Sequence, residues 1–340
     1  MIKAVVVGGS GYVGGELIRL LLFHPKVKVI AVSSNSNVGK KIVGIHANLT
    51  GMTDLLFEKE DIKKLGKNAD VIFFALPAGE SMSKIKQVNL KKTKVIDLGP
   101  DFRLKDKNLF KNTYGFSHTA INILTDAIYG LPEINKKAIK NSSLVASPGC
   151  FPTSSLLALF PFAKNNLLTK TVIINSVTGS SGSGIKLTLS THHPERANNF
   201  MAYNIFSHRH QPEIKQTLDL LQGSSVDVVF TTHSAPMVRG IFTTTYIFLE
   251  KLTNQEEIEK LFHKTYENNP FVRMVKHVQV SSVVGTNYCD IAVFVQENKV
   301  IITSAIDNLI KGAAGQGIQN MNIMFGLPET IGLLYPGMHP

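Results

Sequence analysis

The sequence predicts an α/β protein in which a doubly wound parallel sheet is followed by an α+β domain, with a C-terminal helix returning to the first domain. Three observations support this prediction: unbroken apolar runs before Cys150, a glycine turn directly after the first run, and alternating polar and apolar runs beyond Cys150. The 340 residues are 44% hydrophobic and 18% charged. Such a chain buries a substantial core, which excludes disorder as its main state.

Apolar runs in the first part of the chain predict strands that helices cover on both faces. They lie at residues 4–7, 27–32, 71–76, 94–98 and 144–146. Nearly continuous Val, Ile and Ala residues are typical of parallel strands. Residues 16–23 predict a short amphipathic helix that ends near Pro25. This alternation of strand and helix favours a doubly wound sheet.

The part of the chain beyond Cys150 has a different pattern. Longer strand-like runs lie at residues 171–177, 227–232, 241–249, 288–295 and 300–305. Several of them alternate polar and apolar residues, which is typical of antiparallel strands covered on one face. Residues 254–266 predict a helix among them, and residues 307–325 are helical and rich in glycine. We therefore predict one domain from residues 1–149 and 307–340, and a second from residues 150–306.

Charge and composition exclude several classes of protein. The net charge of +11 favours anionic ligands, but the basic residues lie in short scattered pairs such as Lys63-Lys64. A nucleic-acid partner is therefore not expected. Apolar runs stay far short of the ~18 residues that a membrane span needs, and the N-terminus lacks the layout of a signal peptide. Two cysteines cannot form a disulfide framework, which together with these features predicts a cytoplasmic protein without membrane attachment.

The glycine turn has the spacing of a dinucleotide-binding motif. The segment GGSGYVG, residues 8–14, follows the first strand and opens the first helix. Glycines allow a tight turn and a close approach of the backbone, so a pyrophosphate can bind free N–H groups at the helix N-terminus. The context of strand, turn and helix predicts a Rossmann-type domain. We assign cofactor binding to Gly8, Ser10, Gly11, Tyr12, Val13 and Gly14.

The end of the second strand favours NADP over NAD. An NAD site usually carries Asp or Glu here for the ribose hydroxyls. This chain has Ser33-Ser34-Asn35-Ser36 instead, and Lys40 and Lys41 follow shortly. Hydroxyls and cations attract the 2′-phosphate that a carboxylate would repel. We therefore predict NADP as the cofactor and Ser34 as one of its contacts.

Cys150 is the candidate nucleophile. The segment SPGCFPT joins an apolar strand to an apolar helical run, which places Cys150 at or near a helix N-terminus. The helix dipole and the free amide groups favour the thiolate there. Gly149 leaves room for a substrate carbonyl. Cys289 lies in a strand-like run and is expected to be buried and inert.

A histidine-rich segment provides the candidate acid and base. Residues 207–213, SHRHQPE, contain His208 and His210 beside an arginine and a glutamate. A cysteine that forms an acyl-enzyme needs a partner that titrates near neutrality, and histidine does so. His192, His193 and His233 are further candidates. Clustered histidines also occur in metal sites, but without a Cys-x-x-Cys or His-Glu-x-x-His pattern we predict no metal.

Nearly the whole chain resembles the N-acetyl-γ-glutamyl-phosphate reductases of arginine biosynthesis. These are relatives of aspartate-semialdehyde dehydrogenase and of the lysine-branch reductase that acts on carrier-bound aminoadipyl phosphate. The resemblance is found in eight ordered segments: GGSGYVGGELIRLL, FFALPAGES, VIDLGPDFRL, YGLPEIN, ASPGCFPTSSLLAL, SVTGSSGSG, HRHQPEI and DNLIKGAAGQGIQNMN. Eight segments in order are far more specific than the glycine turn alone.

The resemblance implies roles for individual residues. Cys150 would be the nucleophile and His210 the acid and base, with His208 the less favoured choice for that role. The anionic substrate pocket would be lined by Arg103, Ser180, Ser181, His193 and His208. Further cofactor contacts would come from Leu76, Pro77, Asn308 and Gly312.

Two features of the chain depart from the pattern of the family. The family often has Ser-Arg after the second strand, whereas this chain has Ser34-Asn35, which leaves open which residues hold the 2′-phosphate. The stretch from His192 to Arg196 is more similar to the lysine-branch enzymes. The lysine-branch activity therefore stays as the alternative.

The resemblance implies a reaction and a domain assignment. The first domain would bind NADP, and residues 150–306 would hold the substrate, perform catalysis and form a homodimer or homotetramer. The reaction would be the NADPH-dependent reduction of N-acetyl-γ-glutamyl phosphate through a thioester on Cys150. Under the alternative, the partner would be an acidic carrier protein, which the net charge of +11 suits. The alternative outside the enzymes is a protein that senses a dinucleotide without turnover, but this alternative gives Cys150 no function.

Overall fold

The computed structural model describes residues Met1–Gly337 and divides the chain into two compact units. The first unit comprises Met1–Pro148 and Ala313–Leu334, and the second comprises Gly149–Gly312 and the described residues from Tyr335 onward. The roles of the two domains stay a prediction: cofactor binding by residues 1–149 and 307–340, and catalysis and oligomerisation by residues 150–306.

The first unit contains a seven-stranded parallel sheet. Its strands are β1 (Ile2–Val7), β2 (Val27–Ser33), β3 (Phe57–Glu58), β4 (Val71–Phe74), β5 (Lys94–Asp97), β6 (Ile128–Tyr129) and β7 (Leu144–Ala146). Their order is β3-β2-β1-β4-β5-β7-β6, and neighbouring strands run parallel. The order reverses between β1 and β4, which is the switch point where doubly wound sheets bind ligands. The predicted fold class is confirmed, while the two-residue strands β3 and β6 were too short for the sequence pattern to indicate.

Helices of the first unit cover this sheet. They are α1 (Tyr12–Leu22), α2 (Ile62–Gly66), α3 (Ser81–Ile85), α4 (Lys107–Tyr114), α5 (Ile121–Leu124) and α6 (Pro132–Lys140), with 3-10 turns at Ile42–Gly44 and Ala47–Leu49. Helix α1 begins four residues before the predicted start, directly after the N-cap Gly11. It buries its apolar stripe, including Leu17 and Ile18, because these positions face the sheet with helical spacing.

The second unit contains a seven-stranded mixed sheet. Its strands are β8 (Thr171–Thr178), β9 (Met201–Tyr203), β10 (Asp227–Ser234), β11 (Ile241–Phe248), β12 (Val272–Met274), β13 (Cys289–Gln296) and β14 (Lys299–Ile306), in the order β12-β13-β14-β11-β8-β10-β9. Strands β8 and β10 pair in parallel, whereas the alternating pattern predicted antiparallel strands. Alternation reports only that one face is covered; direction depends on the connection between the strands.

The described residues of the second unit form the helices α7 (Cys150–Lys164), α8 (His193–Arg196), α9 (Gln211–Gln222) and α10 (Gln255–Tyr266), with 3-10 turns at Ser180–Ser183 and Leu189–Thr191. Helix α9 lies between β8 and β10 in the chain and provides the crossover that a parallel pair requires. Helix α7 buries nearly all of its side chains and contacts β11 and β14. It therefore forms the centre of this unit's core.

The opposite face of the mixed sheet exposes apolar side chains. Phe248, Phe294 and Ile301 are 47%, 45% and 38% exposed. Ile301 pairs with Phe294 on one side and with Tyr246 on the other, so these side chains form a row across β13, β14 and β11. We call this row, with Phe248, the apolar row.

The C-terminal part of the chain returns to the first unit, as predicted. A π-helical turn at Ile310–Ala314 is followed by α11 (Gly315–Met324), which contacts β5, α1 and α6. Gly317 lies against Leu98, where an added Cβ would be 3.3 Å from a methyl group. Among residues Met1–Gly337, we find no helix with the length and apolar character needed to cross a membrane.

Candidate active site

The glycine turn of the first unit forms a tight backbone cradle. Gly8 has φ +83°, and a Cβ on it would lie 2.4 Å from the carbonyl oxygen of Ala75. A Cβ on Gly14 would lie 2.5 Å from the carbonyl oxygen of Gly8. Helix α1 starts directly after Gly11, which has no side chain to cap the helix, and its first turn contains no acidic residue. The cradle and the N-terminus of α1 therefore fit a dinucleotide pyrophosphate.

The structure brings the end of β2 to this turn. The hydroxyl oxygens of Ser10 and Ser34 are 2.8 Å apart, and Ser34 is buried. Asn37 donates to the hydroxyl of Ser36, 3.1 Å away, and exposed Lys40 donates to the side-chain oxygen of Asn37 over 3.2 Å. The hydroxyl oxygens of Ser34 and Ser36 are 3.3 Å apart. Three hydroxyls, an amide and an ammonium group thus lie in one chain of contacts, and such groups are suited to bind an anion.

A carboxylate also lies near the end of β2, although the sequence pattern placed none there. Glu60, which follows β3, accepts a hydrogen bond of 2.9 Å from the side chain of Asn35. The ammonium group of Lys84 lies 2.6 Å from the same carboxylate oxygen of Glu60. This ion pair offsets the negative charge of Glu60.

The predicted contacts Leu76 and Pro77 lie beside the glycine turn. They follow β4 directly, and a Cβ on Gly8 would lie 2.9 Å from a methyl carbon of Leu76. Pro77 is exposed. The structure therefore groups the glycine turn, Ser34 and the turn after β4 at the carboxyl end of the parallel sheet.

Arg103 belongs to the first unit and is almost fully buried. Its Nε donates to the carbonyl oxygen of Ser147 and its Nη2 to that of Leu98, both over 2.8 Å. The guanidinium therefore ties the loop after β5 to the end of β7. Its predicted role as a substrate contact stays a prediction.

Cys150 lies where the sequence predicts, at the first residue of α7. Gly149 is the N-cap, and the first turn of α7 contains no acidic residue. The thiol is partly exposed, whereas Cys289 is fully buried. Gly312 packs against Cys150, since a Cβ on Gly312 would lie 2.8 Å from the Cβ of Cys150. An accessible thiol at a helix N-terminus is suited to nucleophilic attack.

The imidazole of His210 lies directly beside the start of α7. A Cβ on Gly149 would be 2.5 Å from Nε2 of His210, so only glycine leaves room for the ring. His210 is the N-cap of α9 and is buried. The fold thus places the predicted acid and base next to the residue that precedes Cys150.

His208 is buried beside His210, with ring centroids 4.9 Å apart. Burial, together with the charge of Arg209, lowers the pKa of His208 to about 4. Its Nδ1 accepts a hydrogen bond from the backbone N–H of His210 over 3.2 Å. A neutral imidazole that accepts this bond is suited to holding His210 in place.

Glu213 is a residue of this site to which the sequence reasoning gave no role. It lies in the first turn of α9, is fully buried, and accepts a hydrogen bond of 2.8 Å from the N–H of Gly149. The carboxylate therefore joins α9 to the residue before the candidate nucleophile. Its place in the HRHQPEI segment was the signal that could have indicated it.

Tyr203 and Arg196 were also missed. The rings of Tyr203 and His208 have centroids 5.7 Å apart. Burial, followed by the charge of Cys150, raises the pKa of Tyr203 to about 12. Arg196 donates to the carbonyl oxygens of Thr178 and Ala235 over 3.4 and 3.0 Å. Tyr203 lies on the short strand β9, where no sequence motif indicates it.

The remaining predicted residues of the second unit lie in three places. Ser181 lies in the 3-10 turn after β8, and its hydroxyl accepts a hydrogen bond of 3.0 Å from Asn308 Nδ2. The side-chain oxygen of Asn308 accepts a further bond from the N–H of Gly240. Ser180 is partly exposed in the same turn, and His193 is exposed at the start of α8. The structure thus joins a predicted cofactor contact, Asn308, to a predicted substrate contact, Ser181.

Over Met1–Gly337, no three side chains of His, Cys, Asp or Glu gather into a group that could hold a metal ion.

Comparison with known proteins identifies the class of both units. Residues 3–142 match the semialdehyde dehydrogenase NAD binding domain, and residues 150–308 match the semialdehyde dehydrogenase dimerisation domain. The crystal structure of aspartate semialdehyde dehydrogenase with NADP from Candida albicans superposes with a TM-score of 0.72 at 14% identity, covering 97% of this chain and 99% of that one. The fold and the matched domains define a semialdehyde dehydrogenase, an oxidoreductase that uses a nicotinamide dinucleotide.

Relatives at higher identity identify the family within this class. The N-acetyl-gamma-glutamyl-phosphate reductases of Desulforamulus reducens and Desulforudis audaxviator are 46% and 44% identical to this chain over the full length of both sequences. The chain belongs to the N-acetyl-γ-glutamyl-phosphate reductase family. The resemblance predicted from the eight segments is thereby confirmed.

Proposed function

We propose that the protein reduces N-acetyl-γ-glutamyl phosphate with NADPH to N-acetylglutamate 5-semialdehyde and phosphate, a step of arginine biosynthesis. The observation that supports this most directly is the partly exposed thiol of Cys150 at the start of α7, with the imidazole of His210 against Gly149. Membership of the reductase family agrees with it. Neither the structure nor the comparisons favour the lysine-branch alternative.

The first half of the reaction is the attack of Cys150 on the acyl phosphate. A bond forms between Sγ and the carbonyl carbon, the bond from that carbon to the phosphate oxygen breaks, and its electron pair leaves with phosphate. The free amide groups in the first turn of α7 are suited to stabilise the oxyanion. Glu213 holds the N–H of Gly149 and so fixes the start of the helix.

The second half converts the thioester into the aldehyde. When bound, NADPH supplies the hydride for this reduction. His210 gives a proton to the oxygen of the former carbonyl group. As the bond between carbon and Sγ breaks, the electron pair returns to Sγ and the hydroxyl proton returns to His210.

We propose NADP rather than NAD as the cofactor. The chain of contacts from Ser10 and Ser34 to Ser36, Asn37 and Lys40 supports this choice, since hydroxyls and an ammonium group attract a 2′-phosphate. The ion pair of Glu60 with Lys84 removes the repulsion that a lone carboxylate would exert.

We also propose that the protein assembles through the second unit, as a homodimer or as a homotetramer built from such dimers. The apolar row on the open face of the mixed sheet supports a second copy of this chain as its occupant, because contiguous exposed aromatic and aliphatic residues mark interaction surfaces. The match of residues 150–308 to a dimerisation domain agrees with this.

Steady-state kinetics with N-acetylglutamate semialdehyde, phosphate and NADP test the proposed reaction in the oxidative direction. We expect phosphate-dependent reduction of NADP, and a Kd for NADP at least about tenfold below that for NAD by calorimetry, since a charge-assisted contact contributes roughly 1.5–3 kcal/mol. Turnover only with carrier-linked aminoadipate semialdehyde would contradict the proposal in favour of the lysine branch. Equal Kd values for the two dinucleotides would contradict the cofactor choice.

A further inference from the structure

Two buried carboxyl groups in the first unit share one hydroxyl group. Asp97, the last residue of β5, and Asp101, in the following turn, are both fully buried. The Oγ of Ser81 lies 3.0 Å from Oδ2 of Asp97 and 3.0 Å from Oδ2 of Asp101. A serine hydroxyl has a single proton, so it donates to only one of two carboxylates. The second short contact therefore needs a proton on a carboxyl group.

The backbone contacts indicate which carboxyl group carries that proton. Asp101 accepts bonds from two N–H groups, those of Gly79 over 2.7 Å and Met82 over 3.0 Å. Asp97 accepts one, from Gly99 over 2.9 Å. Two N–H donors favour the charged form of Asp101. The contacts are thus satisfied when Asp97 donates to Ser81 and Ser81 donates to Asp101.

Charges around the pair agree with this arrangement. Burial, followed by the negative charge of Asp101, raises the pKa of Asp97 to about 7. A hydrogen bond that Ser81 would donate to the ionised carboxylate, the bond from Gly99 and the charge of Arg103 oppose this shift. His118 also faces Asp101, and burial lowers its pKa while the charge of Asp101 and a hydrogen bond with the backbone of Asp101 oppose this shift. The pair therefore holds one net negative charge until Asp97 ionises.

The shared proton connects the pair to a segment proposed to contact the cofactor. Gly79, Ser81 and Met82 follow the turn Leu76–Pro77, which lies beside the glycine turn. We propose that Asp97, through Ser81 and Asp101, is a positioning residue that holds residues 77–82 for dinucleotide binding, and that binding weakens when Asp97 loses its proton. This coupling rests on the proposed function, whereas the shared proton does not.

The coupling is tested by measuring the Kd for NADP from pH 6 to 8.5. In Asp97→Asn, the side-chain amide donates to Ser81 as the protonated carboxyl group does, and this donor does not titrate. We expect the ratio of the wild-type Kd to the Asp97→Asn Kd to rise by about 30-fold over this range, because apparent affinity falls with the protonated, binding-competent fraction of the wild type. The exposed Asp126→Asn control should follow the wild type, and Ser81→Ala should bind weakly at each pH. Parallel profiles for the wild type and Asp97→Asn would overturn the coupling.

Urea unfolding tests the shared proton independently of any cofactor. Asp97 binds its proton more tightly in the folded state, with a pKa of about 7, than in the unfolded state, where it is about 3.9. Relative to Asp97→Asn, the wild type should therefore lose stability as the pH rises from about 4 to about 7. If the difference in unfolding free energy between the wild type and Asp97→Asn does not change with pH, Asp97 does not hold the shared proton. If no dinucleotide binds the wild type or any variant, the proposed function is wrong. The urea unfolding experiment still tests whether Asp97 carries the shared proton.

Discussion

At the scale of single residues, the reactivity of Cys150 is the most direct consequence of the structure. Its thiol is partly exposed at the N-terminus of α7, whereas Cys289 is fully buried in β13. We expect iodoacetamide to label Cys150 much faster than Cys289 near neutral pH, because the thiolate is the reactive form and must be accessible. Mass spectrometry of the two cysteine peptides measures this directly. Prior incubation with the acyl phosphate should protect Cys150.

The same cysteine decides the covalent mechanism. Cys150→Ala and Cys150→Ser should lose nearly all turnover, since neither replacement provides a thiolate. Cys289→Ala is the matched control and should cost stability alone. Enzyme mixed with the acyl phosphate without NADPH should show an acyl group on the Cys150 peptide. Substantial activity of Cys150→Ala would exclude the thioester.

The two histidines of the HRHQPEI segment should differ in their effects. His210 lies against Gly149, while His208 stays neutral above about pH 4 because burial and Arg209 lower its pKa. We expect His210→Asn to lower kcat by roughly 10²–10⁴-fold with little change in the Kd for NADP. His208→Asn should lower kcat less, through the loss of the bond that it accepts from the backbone of His210. The opposite order of effects would assign the proton transfer to His208.

At the scale of elements, the glycine turn between β1 and α1 allows a matched test of the cradle. A Cβ on Gly14 would lie 2.5 Å from the carbonyl oxygen of Gly8, whereas a Cβ on Gly44 would meet no atom within 4 Å. Gly14→Ala should therefore lower stability by about 1–3 kcal/mol and weaken NADP binding by at least about tenfold, because the turn must open. Gly44→Ala should leave both unchanged. Urea unfolding measures the stability of the two variants, and calorimetry measures their affinity for NADP. Equal stability and equal affinity would contradict the role of the glycine turn as a cradle for the dinucleotide.

The start of α7 depends on α9 in a comparable way. Glu213 and His210 both lie at the start of α9 and both meet Gly149, the N-cap of α7. One short element thus supplies the candidate acid and base and also a buried carboxylate that holds the helix start. A buried N–H that loses its partner costs about 1–3 kcal/mol, so the position of Cys150 depends on this contact.

At the scale of the whole molecule, the apolar row should control assembly. Ile301 and Phe294 pair across β14 and β13 on the open face of the second unit. Replacing both residues with Asp should dissociate the proposed dimer or tetramer, because burying two carboxylates in an apolar interface is strongly unfavourable. Leu220→Asp, on an exposed residue of α9, is the matched control. Sedimentation velocity measures the assembly, and an unchanged sedimentation coefficient of the double variant would place the interface elsewhere.

Local patterns in the sequence were sufficient for much of the fold and the chemistry. Unbroken apolar runs predicted the parallel strands, and the spacing of Gly8, Gly11 and Gly14 predicted the cradle at the start of α1. Cys150 was placed at a helix N-terminus because its neighbours end a strand and begin an apolar helix. These features depend on residues close in sequence, so their physical cause is visible in a short window.

Contacts between distant residues were decided by the tertiary structure. The bond of Glu213 to Gly149, that of Asn308 to Ser181, and the shared hydroxyl of Ser81 join segments far apart in the chain. The parallel pairing of β8 with β10 likewise depends on the crossover through α9. Which buried polar groups become partners depends on the packing of whole elements, because each needs a donor or acceptor once water is removed. The sequence by itself determined the type of fold and predicted which residues react, and the tertiary structure decided which contacts hold those residues in place.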